Sequence, residues 1–146
     1  HTRSCSVTGV QTCALPILLP EDITVYRRCK YVIQENTRLL EACKDLEKND
    51  FLAFGRKMFE THEGLSKLYE VSCPELDFLV SHVLESDAVL GARMMGGGFG
   101  GCTINLVKEN AIDKIAQDTS AEYKNAFGKD LRVYIVSIED GSTVIK

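Results

Sequence analysis

The chain reads as an α+β domain in which helices pack on a mostly antiparallel sheet. Three observations predict this. Apolar residues recur at helical spacing from Pro20 to Leu84. Two short β-like runs, residues 90–95 and 102–107, then flank a cluster of glycines. A further helical pattern and a β-branched segment close the chain, with no internal repeat and no low-complexity linker.

Residues 1–17, HTRSCSVTGVQTCALPI, have neither helical nor strand periodicity and lack the continuous apolar stretch of a signal peptide. One back-translation of residues 7–17 resembles a widely used high-throughput sequencing adapter read in frame. The expectation is therefore that residues 1–17 are an artefactual, non-native segment, that residues 18–146 form the domain, and that the natural frame continues upstream.

Val25, Cys29, Val32, Asn36, Leu39, Cys43 and Leu46 then recur every three or four residues, which predicts one buried helix face. Asp22 is a plausible N-cap, and Asn36 reads as a satisfied buried polar group. Lys48-Asn49-Asp50 ends this helix and starts the next, which spans about 50–62 and bends or restarts at Gly64 on its way to Tyr69. Ser72-x-x-Glu75, with Pro74 in the first turn, has the form of a capping box. The third helix it opens presents Leu76, Leu79, Val80, Val83 and Leu84.

After the two β-like runs, the second with Cys102, Ile104 and Leu106 on one face, residues 110–127 return to helical spacing through Ile112, Ile115, Ala116 and Tyr123. Gly128 suits the C-terminal cap. Residues 131–138 are the most β-branched segment, expected to be a well-buried strand. Asp140-Gly141 then turns the chain into a short final strand, 143–146.

Composition narrows the function classes. A length of 146 residues is enough for one domain with a modest core and too short for two. A net charge of −4, with no basic cluster beyond Arg27-Arg28, argues against nucleic acid as a partner. No apolar run reaches the roughly 20 residues of a membrane span, so the expectation is a soluble protein without a membrane partner, and the cysteine usage below reads as cytoplasmic. Cys29, Cys43, Cys73 and Cys102 are widely separated and form no Cys-x-x-Cys pair. They read as reduced thiols, with Cys29 and Cys43 as small hydrophobes in the core, while Cys5 and Cys13 fall in the non-native segment. His62-Glu63 lacks the second histidine of a metal-protease motif, His82 reads as solvated, and Tyr69 and Tyr123 read as core or rim aromatics.

The informative segment is GARMMGGGFGGC, residues 91–102. Gly96, Gly97, Gly98, Gly100 and Gly101 crowd into six positions, a local composition that disfavours folding by its lost entropy. Such a loop is tolerated where the backbone needs positive φ or where something must approach the main chain, and its N–H groups can line an anion site. A charge-assisted bond from one such amide to phosphate contributes on the order of 1.5–3 kcal/mol. Gly96-x-Gly98-x-x-Gly101 also fits the dinucleotide fingerprint, but that fingerprint must open a helix, and here Cys-Thr-Ile-Asn-Leu-Val favours a strand. A plain hairpin connection and a phosphoryl-transfer loop between antiparallel strands both remain open from the residues alone.

The same segment resembles the third signature motif of the GHMP kinase superfamily, in the form typical of galactokinases. RRCKYVIQENTRLLEA and YEVSCPELDFLV are similar to the segments that precede that motif, so the resemblance runs from about Pro20 to the C-terminus. Met95 departs from the commonest version, which has Thr there. The resemblance implies a GHMP-kinase C-terminal domain of ferredoxin-like fold. It also implies an activity: transfer of the γ-phosphoryl of ATP to the C1 hydroxyl of α-D-galactose, with Mg²⁺. Gly96, Gly97, Gly98, Phe99, Gly100 and Gly101 would line the cleft between the two halves of the enzyme and support the nucleotide-phosphate loop. Arg93 could add charge there or simply flank the strand.

The family's sugar-binding signature, serine-rich loop and catalytic Asp belong to an N-terminal half with no counterpart here, so no catalytic residue is assigned and that missing domain is the expected partner. Galactose and ATP are the implied small-molecule substrates. The alternative is a non-catalytic galactokinase-like regulator that binds sugar and ATP.

Overall fold

The computed structural model describes residues 23–137. In chain order these form α1 (Ile23–Glu47), α2 (Phe51–Lys67), α3 (Pro74–Leu84), β1 (Val89–Met95), β2 (Cys102–Val107), a 3₁₀ turn (Glu109–Ala111) and α4 (Ile112–Phe127). The expectations for residues 1–22 and 138–146, including the Asp22 cap and the final strand, lie outside the described residues.

Local chemistry sets several boundaries where the sequence placed them. Asn49 turns the chain with φ 57°, and the Asp50 carboxylate accepts the Ala53 N–H at 2.9 Å to cap α2. Gly128 ends α4 in the left-handed conformation, φ 66°, its N–H reaching the Lys124 carbonyl at 2.8 Å. The start of α3 is a correction: its N-cap is Cys73, and no side chain caps it. The Ser72 hydroxyl instead donates to Asp77 at 2.6 Å, and Glu75 receives Lys129 at 3.1 Å. Both halves of the expected capping box bond to other partners instead.

The helix α2 does not restart at Gly64 but continues unbroken to Lys67. Gly64 is required for a different reason, because a Cβ there would lie 2.4 Å from the Tyr31 ring of α1. Gly55 and Gly91 make a closer contact still. A Cβ on Gly55 would lie 1.9 Å from the Leu90 carbonyl oxygen, and one on Gly91 would lie 2.5 Å from the Gly55 Cα. Paired glycines thus bring the α2 backbone directly against β1.

The core forms where α3 crosses this strand. Val80 and Val83 of α3 meet Val89 and Ala92 of β1, with Phe59, Val107 and Ile115 packed around them, and Leu76 and Met94 are almost wholly buried. Leu84, expected on the same face of α3, is instead exposed. The helix α4 lies against α3 through Tyr123 and Phe127, whose rings pack around Phe78.

The seam of α1 differs from the expected one. Tyr31 is its buried residue, and the contacts with α2 are polar: Thr61 donates to Glu35 at 2.7 Å, Arg38 bonds Glu60 at 3.2 Å and also pairs with Glu35, and Lys57 bonds Asp45 at 2.6 Å. The apolar stripe is rotated away. Val25, Val32, Leu39 and Leu46, one every seventh residue, are 40, 43, 61 and 43% exposed. Asn36 is exposed too, as is Cys43, while Cys29 is half-buried, so the reading of these two cysteines as core residues fails.

Among the described residues the sheet has two strands, paired antiparallel from Val89↔Val107 to Met95↔Cys102 with an irregularity between Val89 and Gly91. The α+β class therefore holds, but residues 131–137 form no strand. Val133, Tyr134, Ile135 and Val136 are all exposed. Strand propensity reflects packing against neighbours, and no described strand lies alongside this segment to supply them.

Candidate functional site

The glycine cluster lies where the hairpin turns. Met95 and Cys102 form the last pair of the ladder, and residues 96–101 connect them, with β2 and not a helix following Gly101. This excludes the dinucleotide fingerprint, whose phosphate sits at a helix N-terminus. Gly96, Gly98, Gly100 and Gly101 have φ of 95, 91, 135 and 106°, which explains four of the five glycines directly. Gly97 has no positive φ and no atom near its missing Cβ.

Phe99 stands at the crown of the loop in the left-handed region, φ 59°, and is 77% exposed. A non-glycine residue in that conformation stores about 1–3 kcal/mol of strain and persists only where its surroundings hold it. Here they do: the Phe99 N–H donates to the Val71 carbonyl at 2.7 Å. The same carbonyl would lie 2.2 Å from a Cβ on Gly98, so the loop rests with its backbone directly on residue 71. Among the described residues, none of the five glycine N–H groups donates to the protein, whereas the Phe99 amide is turned inward. The candidate anion-binding amides are therefore those of Gly96, Gly97, Gly98, Gly100 and Gly101, with Phe99 as the anchor between them.

Val71 was not among the residues singled out from the sequence, and of the cluster beneath it His62 and Ser72 were read only against a metal-protease motif and as part of a capping box. His62 is buried on α2, its Nδ1 accepting the Met94 N–H at 3.1 Å. Its Nε2 lies 3.2 Å from Asp77, whose carboxylate also accepts hydroxyl bonds from Ser72 at 2.6 Å and Ser66 at 3.0 Å. Burial lowers the His62 pKa below its ordinary value, with Asp77 opposing the shift. These partners are up to 32 residues apart in sequence, and no local spacing signals them.

Arg93 is half-buried, bonds the Met94 carbonyl weakly at 3.5 Å, and acts electrostatically on the Tyr31 phenol, whose pKa is raised mainly by burial. His82 is not simply solvated: it stacks on Phe78 with centroids 5.9 Å apart. Tyr69 packs on Tyr31 at 5.5 Å, and Tyr123 is buried, as expected of core or rim aromatics. A cavity of about 290 Å³ lies between α3 and α4, lined by His82, Lys114 and Asp118, and one of about 260 Å³ lies between α1 and α2. Neither includes a residue of the glycine loop. Among the described residues no helix is long and apolar enough to cross a membrane.

Comparison with known proteins agrees with this architecture. Residues 39–125 match the family described as GHMP kinases C terminal. The chain is 47% identical over 119 residues to a galactokinase of Clostridium beijerinckii, covering 82% of this chain and 31% of that protein. It is 42% identical over 118 residues to a galactokinase of Thermotoga petrophila, covering 81% and 34%. Among solved structures, Lactococcus lactis galactokinase complexed with galactose superposes with a TM-score of 0.73 at 33% identity, over 75% of this chain and 28% of that one. The chain thus spans about a third of the length of the curated relatives it matches. With its strand–glycine loop–strand hairpin packed on helices and this family match over most of its length, the chain belongs to the GHMP kinases, of which it carries the C-terminal domain.

Proposed function

We propose that the chain is the C-terminal part of an ATP-dependent galactokinase, which phosphorylates α-D-galactose at C1, and that its glycine loop faces the nucleotide phosphates. The observation that carries this reading is the loop itself. Four glycines at positive φ sit on an antiparallel hairpin, and among the described residues none of the five glycine amides donates to the protein. Relatives named galactokinase, 40–47% identical over most of the chain, support the sugar kinase assignment.

In phosphoryl transfer the protein supplies positioning and charge stabilisation rather than covalent chemistry. The loop's share of that task is to offer neutral N–H donors from a backbone already held in its bound shape. Arg93, whose guanidinium bonds the Met94 carbonyl at 3.5 Å, is given no part in it. Among the described residues no group of three or more His, Cys, Asp or Glu side chains could hold a metal. Following the resemblance to galactokinases, magnesium, the sugar and the catalytic acid–base groups are assigned to an N-terminal half beyond this chain, as is the larger share of the ATP contacts. The cytoplasm is the compartment in which such an enzyme meets ATP.

The test is recovery of the frame upstream of Leu18. The full-length protein should convert galactose and ATP to galactose 1-phosphate and ADP, whereas the 146-residue chain, freed of host enzyme, should show no turnover. Turnover by the chain alone would refute the division of labour. A full-length protein that binds both substrates without turnover would instead be the regulator.

A further inference from the structure

A chain of contacts connects the two supports of the glycine loop through one buried side chain. The loop has an entrance, Met94–Met95 at the end of β1, and a seat, the Val71 carbonyl that receives the Phe99 N–H at 2.7 Å. Met94 is paired with Thr103 of β2, yet its N–H points to His62 Nδ1, 3.1 Å away on α2. A ring nitrogen that accepts from an amide carries no proton, so the proton of the neutral imidazole resides on Nε2.

That nitrogen is buried and lies 3.2 Å from Asp77 Oδ1, a close contact that is off the direct line of a hydrogen bond. The same oxygen accepts from Ser72 at 2.6 Å, and Oδ2 accepts from Ser66 at 3.0 Å. All three neighbours present donors, which suits an ionised carboxylate and fixes its orientation. Ser72 directly follows Val71, so the carboxylate that faces His62 also holds the segment on which the loop rests.

We propose that His62 is a positioning residue for the glycine loop, its imidazole joining the strand that enters the loop to the Val71–Ser72 seat through Asp77. This deepens the phosphate-loop reading and rests on it for its functional meaning. The arrangement sets the height of the Phe99 anchor relative to the hairpin, and with it the directions of the flanking glycine amides. Burial keeps the ring neutral and so keeps Nδ1 an acceptor. Asp77 is the charged group that faces it, from α3, and the Met94 amide faces it from β1.

The test uses the 146-residue chain with amide hydrogen exchange, imidazole ¹⁵N spectra, and titration with inorganic tripolyphosphate followed at the glycine amides. Wild type should show the Nε2–H tautomer. His62→Ala should accelerate exchange at both Met94 and Phe99 by roughly tenfold, and weaken the tripolyphosphate response several-fold. His62→Asn places an amide oxygen near the Nδ1 position and should restore Met94 protection. Ser72→Ala should loosen Phe99 while sparing Met94, and it serves as the second variant should His62→Ala fail to fold.

An Nδ1–H tautomer in wild type, or Phe99 protection unchanged in both His62→Ala and Ser72→Ala, would overturn the proposal. A wild-type loop that ignores tripolyphosphate while both amides open in His62→Ala would support the positioning role and count against the phosphate reading alone. The two ideas therefore fail separately.

Discussion

A methyl group added at Gly98 would sit 2.2 Å from the Val71 carbonyl oxygen, whereas one added at Gly97 would meet no atom within 4 Å. Gly98 also has a positive φ and Gly97 does not. Adjacent residues of one type thus differ in what they do. Gly98→Ala should destabilise the chain by about 1–3 kcal/mol in urea unfolding, while Gly97→Ala should leave the midpoint unchanged. Equal effects would show that the loop does not rest on residue 71.

His62 gives a pH dependence at the same scale. Its folded pKa lies below the unfolded value, so the unfolded chain binds more protons once the pH drops below about 6.5. The stability it contributes is complete above that pH and declines as the pH falls towards the lowered folded value. The urea midpoint should therefore decrease between pH 7 and 5.5, and less steeply in His62→Asn. Identical slopes would remove His62 from the account.

At the scale of elements, α2 and β1 meet backbone to backbone. The atom that a Gly55 Cβ would strike is the Leu90 carbonyl oxygen at 1.9 Å, which no side-chain rotation can relieve. Gly55→Ala should therefore cost roughly 3 kcal/mol or more, detectable as loss of cooperative unfolding, although alanine favours an isolated helix. Unchanged stability would mean that the helix does not approach the strand this closely. Gly64 obeys the same logic against the Tyr31 ring, and it explains why a residue that reads as a breaker sits in an unbroken helix. In α1 the polar residues Glu35, Arg38 and Asp45 interlock with Thr61, Glu60 and Lys57, and the alignment of those partners determines which face turns inward.

For the whole molecule, the inverted α1 has a consequence in solution. Among the described residues Val32, Leu39 and Leu46 form an exposed apolar stripe, and Val133 to Val136 add a second exposed apolar segment. Contiguous apolar surface of this kind drives association. The chain should self-associate at micromolar concentration in light scattering, and the Leu39→Lys, Leu46→Lys double variant should shift it towards monomer without lowering the melting temperature. A wild-type chain that stays monomeric would show that the stripe is harmless as it stands.

How much of this was legible without coordinates follows from the range of each interaction. The caps at Asp50 and Gly128, the two strands of the hairpin and the glycine-rich turn between them depend on residues within a few positions of one another. Local sequence was therefore sufficient to place them, while the kinase family came from the resemblance of residues 91–102 to a known motif. The buried face of α1, the purpose of Gly55 and Gly64, the missing strand at 131–137 and the seat of the loop on residue 71 depend on partners far along the chain. Only the tertiary structure decided those, because periodicity records that a face is apolar but not what packs against it, and a glycine's sequence neighbours do not show which distant backbone occupies the space its side chain would fill.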